Sequence, residues 1–500
     1  MSCRNRNFSC DRVAPAAAEP RAEAVGQPVS SEIFILYFHD KNDQTYDYKE
    51  ENILKKVTSV FTAALLTLAS CFSLSGCATG AANTESSVPD DGTSPVTLTF
   101  WAGTVTSDRD AVYKQFVNEV HKKYSNITID YLGVPGSWSS FDQKLNVAIS
   151  AGTAPDISNH FLASRIKNGY YLALDSYFDA WADKDSVNSN LVTATRNYDQ
   201  KDHKLYALPY GTQIQIMWER PDVLKAADLS SPSNWDTFFK EVKTLKDTST
   251  GQFGTSIRGG AGSASELEFL MYSYSGITNY FDSKGKSTIN DPKNVEFVQK
   301  YLGLYNTYTP EDDLTKSWTQ LASAFQTGKA VFVAHNLGSA SSMAKAFGND
   351  TSKFEAIPLP KSVQGTQVHC GLQPSAMCVS SSTKDKQAAF NAITVYLDKD
   401  LQVAYSKVWG EIPANKDSGN DSFFKKTPYM QVGMNLLNSS STKFSDTPYY
   451  LPNYASIETQ VEPLIQKVMS KQMSAKEMLD TWAQLLEKDR NTYESQAGKK

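Results

Sequence analysis

Between Val96 and His160 the chain alternates short β-branched runs with amphipathic helical patterns, and this alternation constrains the fold most. Val96-Thr97-Leu98-Thr99-Phe100-Trp101 reads as a strand of β-branched and aromatic residues. Ser107 with Asp110 gives a capping-box-like helix start, followed by Val112, Phe116, Val120 and Tyr124 at helical spacing. Ile127 to Leu132 is a second strand. Phe141, Leu145, Ala148 and Ile149 mark a second helix, stopped by Gly152 and Pro155, and Ile157 to His160 form a short third strand. Strand, helix, strand, helix, strand predicts an α/β unit on a parallel sheet with helical crossovers.

A second unit follows. Leu205 to Pro209 and Gln213 to Trp218 are extended runs separated by Gly211, and Ser233-Asn234-Trp235-Asp236 opens a helix, with Trp235 a structural part of its cap. Further strands are expected at Phe253 to Ile257 and Ala330 to His335, with helices around Pro292 to Tyr305 and Trp318 to Thr327. Val368 to Val379 is extended again, and Lys384 to Leu397, Asp400 to Val408 and Ser456 to Glu487 are helical.

The segment before this alternation has a different logic. Leu74-Ser75-Gly76-Cys77 matches a lipoprotein processing site, with Lys55-Lys56 as a positive n-region and Val57 to Leu74 as an uncharged, largely apolar h-region. The run is short for a membrane span and rich in Ser and Thr. We therefore expect residues 54–76 to be a signal peptide, Cys77 the lipidated first residue of the mature chain, and 77–95 a flexible tether. Residues 1–53 carry Asp40, Asp43, Asp47, Glu50 and Glu51, which no signal peptide should contain. Two readings of them stay open: a real N-terminal tail, or a start assigned too early. For the second, Lys49-Glu50-Glu51 is compatible with a purine-rich ribosome-binding run and Leu54 with a TTG start.

With residues up to 76 removed, the chain is long enough for two domains with their own cores. At 40% hydrophobic, 21% charged and a formal net charge of -5 it is globular and lacks the basic face that nucleic acid requires. Its 25 Tyr, 24 Phe and 8 Trp suit a surface that grips something flat and amphipathic. Beyond Cys77 only Cys370 and Cys378 remain. Outside the cytoplasm they are either a disulfide closing a short loop or two buried thiols.

A set of short motifs then acquires meaning from its order. Phe100-Trp101 ends the first strand, and Ala151-Gly152-Thr153-Ala154-Pro155-Asp156 precedes the third. Leu205-Tyr206-Ala207-Leu208-Pro209-Tyr210-Gly211, Asn234-Trp235-Asp236-Thr237-Phe238, Phe325-Gln326-Thr327-Gly328-Lys329-Ala330-Val331 and Glu411-Ile412-Pro413-Ala414 follow. In order and spacing, from about Val96 to the C-terminus, the chain resembles the family 1 extracellular solute-binding proteins of bacterial sugar ABC importers. The resemblance implies a two-lobed periplasmic-binding-protein-like α/β fold, each lobe a sheet flanked by helices, joined by a multi-segment hinge. The N-terminal lobe would span 96–209 and be completed by a return at roughly 368–400. The C-terminal lobe would span 210–367 and be completed by helices at roughly 401–495. It also implies a monomeric, lipid-anchored, extracytoplasmic receptor that binds a mono- or oligosaccharide, uses no cofactor and hands its ligand to an ABC permease.

Ligands of open α/β lobes bind at the carboxyl ends of strands, which nominates Trp101, His160, Arg258 and His335. Trp101 is a candidate for stacking on a sugar ring or for a core position. Trp138, in the loop after the second strand, has the same two readings. His160 is not expected to bind metal, since no second His or Cys sits at ligand spacing. Gln213 and Gln215 alternate with Ile214 and Ile216, so their amides share one face near Tyr210, where they suit sugar hydroxyls or simply a polar hinge. Trp409 and Glu411 lie on a later connection, Glu411 as a carboxylate for paired hydroxyls. Relatives commonly carry Trp just after the strand that here reads Ala330 to Ala334. This chain has His335-Asn336-Leu337, so His335 and Asn336 are expected to hydrogen-bond where a ring would stack.

The competing classes are a receptor for another polar solute, a secreted carbohydrate-active enzyme and a surface adhesin. A glycosidase needs two carboxylates flanking one bond, and Asp156, Asp175, Glu219 and Glu411 are available. Asp156, after Pro155, fits a loop cap better. No G-x-S-x-G elbow, phosphate loop or metal cluster is present in the sequence, and a binder rather than an enzyme is expected.

Overall fold

Alternation decides β1 (Val96–Ala102): Leu98, Phe100 and Ala102 enter one buried face, while Thr97, Thr99 and Trp101 point to the other. The computed structural model describes residues 93–497. Residues 1–53, the signal segment 54–76, Cys77 and most of the 77–95 tether lie outside the described residues. β1 pairs in parallel with β2 (Ile127–Gly133) on one side and β3 (Ile157–Ser158) on the other. The crossovers are α1 (Ser107–Lys123) and α2 (Trp138–Ser150). The cap of α1 is Thr106, one residue before the expected Ser107: its hydroxyl accepts from the Arg109 amide at 3.4 Å. Val112, Tyr113, Phe116 and Val120 of α1 cover Leu98 and Phe100 of β1. Each such buried side chain contributes about 1.5–3 kcal/mol of transfer free energy.

After α3 (Ser189–Arg196) the chain forms β4 (Leu208–Thr212) and β5 (Gln215–Glu219), and these belong to different sheets. The second lobe adds α4 (Trp235–Thr244), β6 (Phe253–Thr255), α5 (Ser263–Ser275), α6 (Trp318–Gln326), β7 (Ala330–Asn336) and β8 (Glu355–Ile357). β9 (Gln367–His369) leads to β10 (Pro374–Val379), α7 (Lys399–Trp409), β11 (Ile412–Pro413), α8 (Pro428–Asn438), β12 (Thr442–Phe444), α9 (Tyr454–Met469) and α10 (Ala475–Ala497). The first sheet has the order β11-β4-β10-β3-β1-β2, the second β6-β7-β5-β8, and β12 pairs with β9. This is a two-lobed α/β fold. Trp235 is buried among Phe238, Phe239 and Phe297 of the second lobe, while Asn234 caps α4 by accepting from the Thr237 amide at 2.9 Å.

The return to the first lobe is longer than 368–400. β10 enters between β3 and β4, but α7 also packs on α1, and β11 pairs with the far edge of β4. The second lobe is completed by α8, which packs on β8, and by α9 and α10, which pack on each other and, through α9, on α5. Cys370 and Cys378 are free, buried thiols, not a bridge. Cys370 follows β9 into the core of the second lobe, whereas Cys378 lies on β10 in an apolar cluster of the first, with Tyr170 and Tyr171.

Buried acids give the fold a pH response. Burial pushes Glu219 of β5 up to about 7, although the Ser231 hydroxyl donates to it, and pushes Glu266 of α5 up to about 8 against the charge of Arg258. The folded protein thus holds protons that the unfolded chain has already released above about pH 5. That stabilisation is complete in acid and is lost as pH rises through these folded values. Buried His335 and His369, both lowered to about 4 by desolvation, act in the opposite sense only below about pH 6.5. Between about pH 6.5 and 8, therefore, stability should fall with rising pH, by up to ~1.4 kcal/mol per unit for each acid. Urea unfolding across this range measures the slope, and Glu219→Gln should flatten it. A stability that rises over the same interval would refute the assignment.

Candidate functional site

β4 ends at Thr212 in the first sheet and β5 begins at Gln215 in the second, so Gln213 and Ile214 cross between the lobes. The run from β9 to β10 crosses back. Beside these segments lies a cleft of ≈ 390 Å³, within the usual range for a small-molecule site. The first lobe and its return segments contribute Trp138, His160, Tyr210, Ser375, Trp409 and Glu411; the second contributes Ser265, Tyr454 and Glu458.

At its base is Glu411, on the link from α7 to β11 and 5% exposed. One carboxylate oxygen accepts from the Ser375 hydroxyl at 2.7 Å and from the Tyr405 hydroxyl, and the other from Gln213 Nε2 at 3.4 Å. Burial pushes the Glu411 carboxyl up, opposed by those three donors and the charge of Arg109. Tyr405 reaches Glu411 because residue 211 has no side chain: a Cβ on Gly211 would lie 2.5 Å from Tyr405 Cε1. The Arg109 guanidinium lies 5.0 Å from the centre of the Trp409 ring and donates to the Thr104 carbonyl at 3.0 Å and hydroxyl at 2.9 Å.

The aromatic side of the cleft is a pair of rings. Trp138, first residue of α2 and 39% exposed, stacks on His160 with centroids 4.2 Å apart and planes 19° from parallel. His160 Nδ1 lies 2.7 Å from Asp142, which also accepts from Arg165 at 2.7 Å. Burial works against ionisation of Asp142, but His160 and Arg165 outweigh it and hold the carboxyl below its ordinary value. The chain Arg165–Asp142–His160 thus fixes the ring on which Trp138 rests.

A second cavity of ≈ 250 Å³ adjoins the cleft, sharing Gln213, Ser265, Gln373 and Tyr449 with it. Gln215, Arg258 and Asn336 line this annex. Asn336 Nδ2 donates to Gln213 Oε1 at 2.7 Å, linking β7 to the crossing segment, and Arg258 Nε donates to the Ala261 carbonyl at 2.7 Å.

Two candidates lie elsewhere. Trp101 borders neither cavity; it packs beside α2 with Lys144 Nζ 5.0 Å from its ring centre, because β1 turns that face toward α2. His335 is 2% exposed and lies 4.4 Å, ring to ring, from Trp318, with Nε2 3.1 Å from the Trp318 carbonyl and Nδ1 3.3 Å from that of Asn336. On β7 it faces away from Asn336, so only Asn336 reaches the cavity. Of the acids considered for catalysis, Asp156 accepts from the Thr99 amide and hydroxyl at 2.9 and 2.8 Å, Asp175 pairs with Arg196, and Glu219 binds Ser231; none of the three borders the cleft. No sequence pattern marks Ser375, Tyr405, Tyr449 or Glu458 as part of this site. Arg109 had one visible signal, a cation in the first turn of the helix that follows the first strand.

Residues 103–403, more than half of the chain, match the bacterial extracellular solute-binding protein family, and the chain belongs to it. The arabinooligosaccharide-binding protein of Bacillus subtilis (strain 168) is 23% identical over 445 residues, which is 85% of this chain and 98% of the relative. The mannitol-binding protein of Pseudomonas aeruginosa is 20% identical over 304 residues, 55% of this chain and 67% of its own length. Among solved structures, the sugar-binding protein MalE of Xanthomonas citri superposes with a TM-score of 0.68 at 14% identity, covering 81% of this chain and 100% of that one. The maltose-bound MalE3 of T. maritima gives 0.63 at 20% identity, covering 78% and 98%. Among the described residues no helix is long and apolar enough to cross a membrane.

Proposed function

We propose that this protein is a carbohydrate receptor that captures a mono- or oligosaccharide between its lobes and delivers it to the permease of an ABC importer. The observation that carries this reading is one cleft holding both parts of a sugar site. The Trp138–His160 pair offers an aromatic face for the apolar side of a pyranose, and Gln213, Ser375 and Glu411 offer donors and acceptors for its hydroxyls. Across the two cavities the two arginines, Arg109 and Arg258, are matched by two carboxyl groups, Glu411 and Glu458, which suits an uncharged ligand. The relatives named for arabinooligosaccharide and mannitol, and the maltose-bound structural neighbour, point the same way. A monomeric state and a lipid on Cys77 that holds the receptor outside the membrane belong to this proposal, with the lobes meeting at Gln213 and Ile214 rather than at 209/210.

Thermal-shift screening against arabinooligosaccharides, maltooligosaccharides, mannitol and common monosaccharides tests it. A sugar at 100 times its dissociation constant should stabilise the protein by about 2.7 kcal/mol. Trp138→Ala should weaken that binding about tenfold, the loss of one stacking contact. The bound sugar should be recovered unchanged, which separates a receptor from a hydrolase. No shift with any carbohydrate would overturn the proposal.

A further inference from the structure

We infer that Tyr449 is a length stop: with Tyr198 it closes the end of the cleft that faces a third cavity, and it sets how long a sugar chain the receptor accepts. The inference rests on the carbohydrate reading above. Tyr449 lies in the loop between β12 and α9. Its ring stacks on Tyr198, just after α3, with centroids 6.0 Å apart and planes at 20°, and meets Tyr454 of α9 edge-on at 5.5 Å. Its hydroxyl donates to the Gly371 carbonyl at 3.3 Å, on the run that crosses from β9 to β10. The ring is thus held by both lobes and a crossing segment.

Three cavities meet at this one side chain. The main cleft and its annex are two; the third, of ≈ 370 Å³, lies on the far side of Tyr449 and Tyr198, between α3 and the end of α10. The residues common to the main cleft and the third cavity are Tyr198 and Tyr449, so the partition between them is made by these rings. The third cavity is large enough for a small-molecule site. Its walls repeat the mixture of the cleft: Phe281 and Tyr450 as apolar faces, Asn190, Asn197 and Arg490 as hydrogen-bonding groups. Nothing in the proposed capture of a sugar uses this space, because the Tyr449 ring stands in the way. Tyr449 is pinned on a face, on an edge and at its hydroxyl, which suits a wall better than a stacking platform.

The test is calorimetric titration of the full-length protein with the maltooligosaccharide and arabinooligosaccharide series, from monosaccharide to heptasaccharide. Wild-type affinity should rise with chain length and then level off. Tyr449→Ala should raise the ratio of long-chain to short-chain affinity at least about tenfold for chains beyond that limit. Tyr449→Phe, which keeps the ring, should keep the wild-type length profile. Thr193→Trp, which fills the third cavity, should be silent alone and should cancel the gain in the Tyr449→Ala background. If Tyr449→Ala shows no melting transition, Tyr449→Leu carries the same comparison. Equal weakening at every length, an unchanged length profile, or a loss caused by Thr193→Trp alone would overturn the inference and leave the carbohydrate reading standing. Wild type that binds neither series at any length would overturn the length stop, and would remove the carbohydrate reading as well if mannitol and the common monosaccharides also fail to bind.

Discussion

Glu411→Ala should cost at least about a hundredfold in carbohydrate affinity, near 3 kcal/mol, while the protein still folds. The carboxylate gathers three donors from three separate parts of the chain: Gln213 on the crossing segment, Ser375 on β10 and Tyr405 on α7. Removing it leaves these groups without their common acceptor at the base of the cleft, and a buried donor without a partner costs about 1–3 kcal/mol. A sugar hydroxyl arriving there would meet a disordered set of donors in place of one fixed acceptor. Glu411→Gln keeps the shape and one acceptor oxygen, so it should retain more affinity than the alanine variant. Calorimetry with the best carbohydrate from the thermal-shift screen measures both. If Glu411→Ala binds as tightly as wild type, the cleft base has been misassigned.

Gly211→Ala should destabilise the protein by about 1–3 kcal/mol or more, and should also lower affinity, although no atom is removed from the site. The new Cβ would lie 2.5–2.9 Å from ring and hydroxyl atoms of Tyr405. Tyr405 is 0% exposed and packs against Tyr210, Tyr396 and Trp409, so it has no free space to enter. Any movement that relieves the overlap carries its hydroxyl away from Glu411 and disturbs Trp409 at the cleft wall. Denaturant unfolding and calorimetry together should show both losses. The alternative outcome, loss of stability with unchanged affinity, would mean that Tyr405 supports the core alone.

What the sequence discloses and what it hides follow one physical division. The period of two in Val96 to Trp101 and the 3.6-residue period of α1 are local, and both survive in the structure, as does the parallel pairing they require. Trp138 and His160 were reachable because loops at strand ends line the clefts of α/β lobes. Trp101 was not resolved, since a strand end does not say which face meets a helix; α2 covers that face. His335 and Asn336 are adjacent on β7, and strand parity allows only one to face the cavity. The donors to Glu411 come from positions up to 198 residues away in the chain, and no local pattern marks such a meeting. The two cysteines are close in sequence yet belong to different cores, because the chain crosses between the lobes in the few residues that separate them.

The central claim is that a carbohydrate occupies the cleft between Trp138 and Glu411. Its most direct test is calorimetric titration of the purified protein with the sugar that shifts its melting most, repeated on Trp138→Ala and Glu411→Ala. Saturable binding with one site per chain is expected, weakened about tenfold by the first substitution and about a hundredfold or more by the second. Heats that stay at the dilution baseline for every carbohydrate, or binding that neither substitution changes, would contradict it.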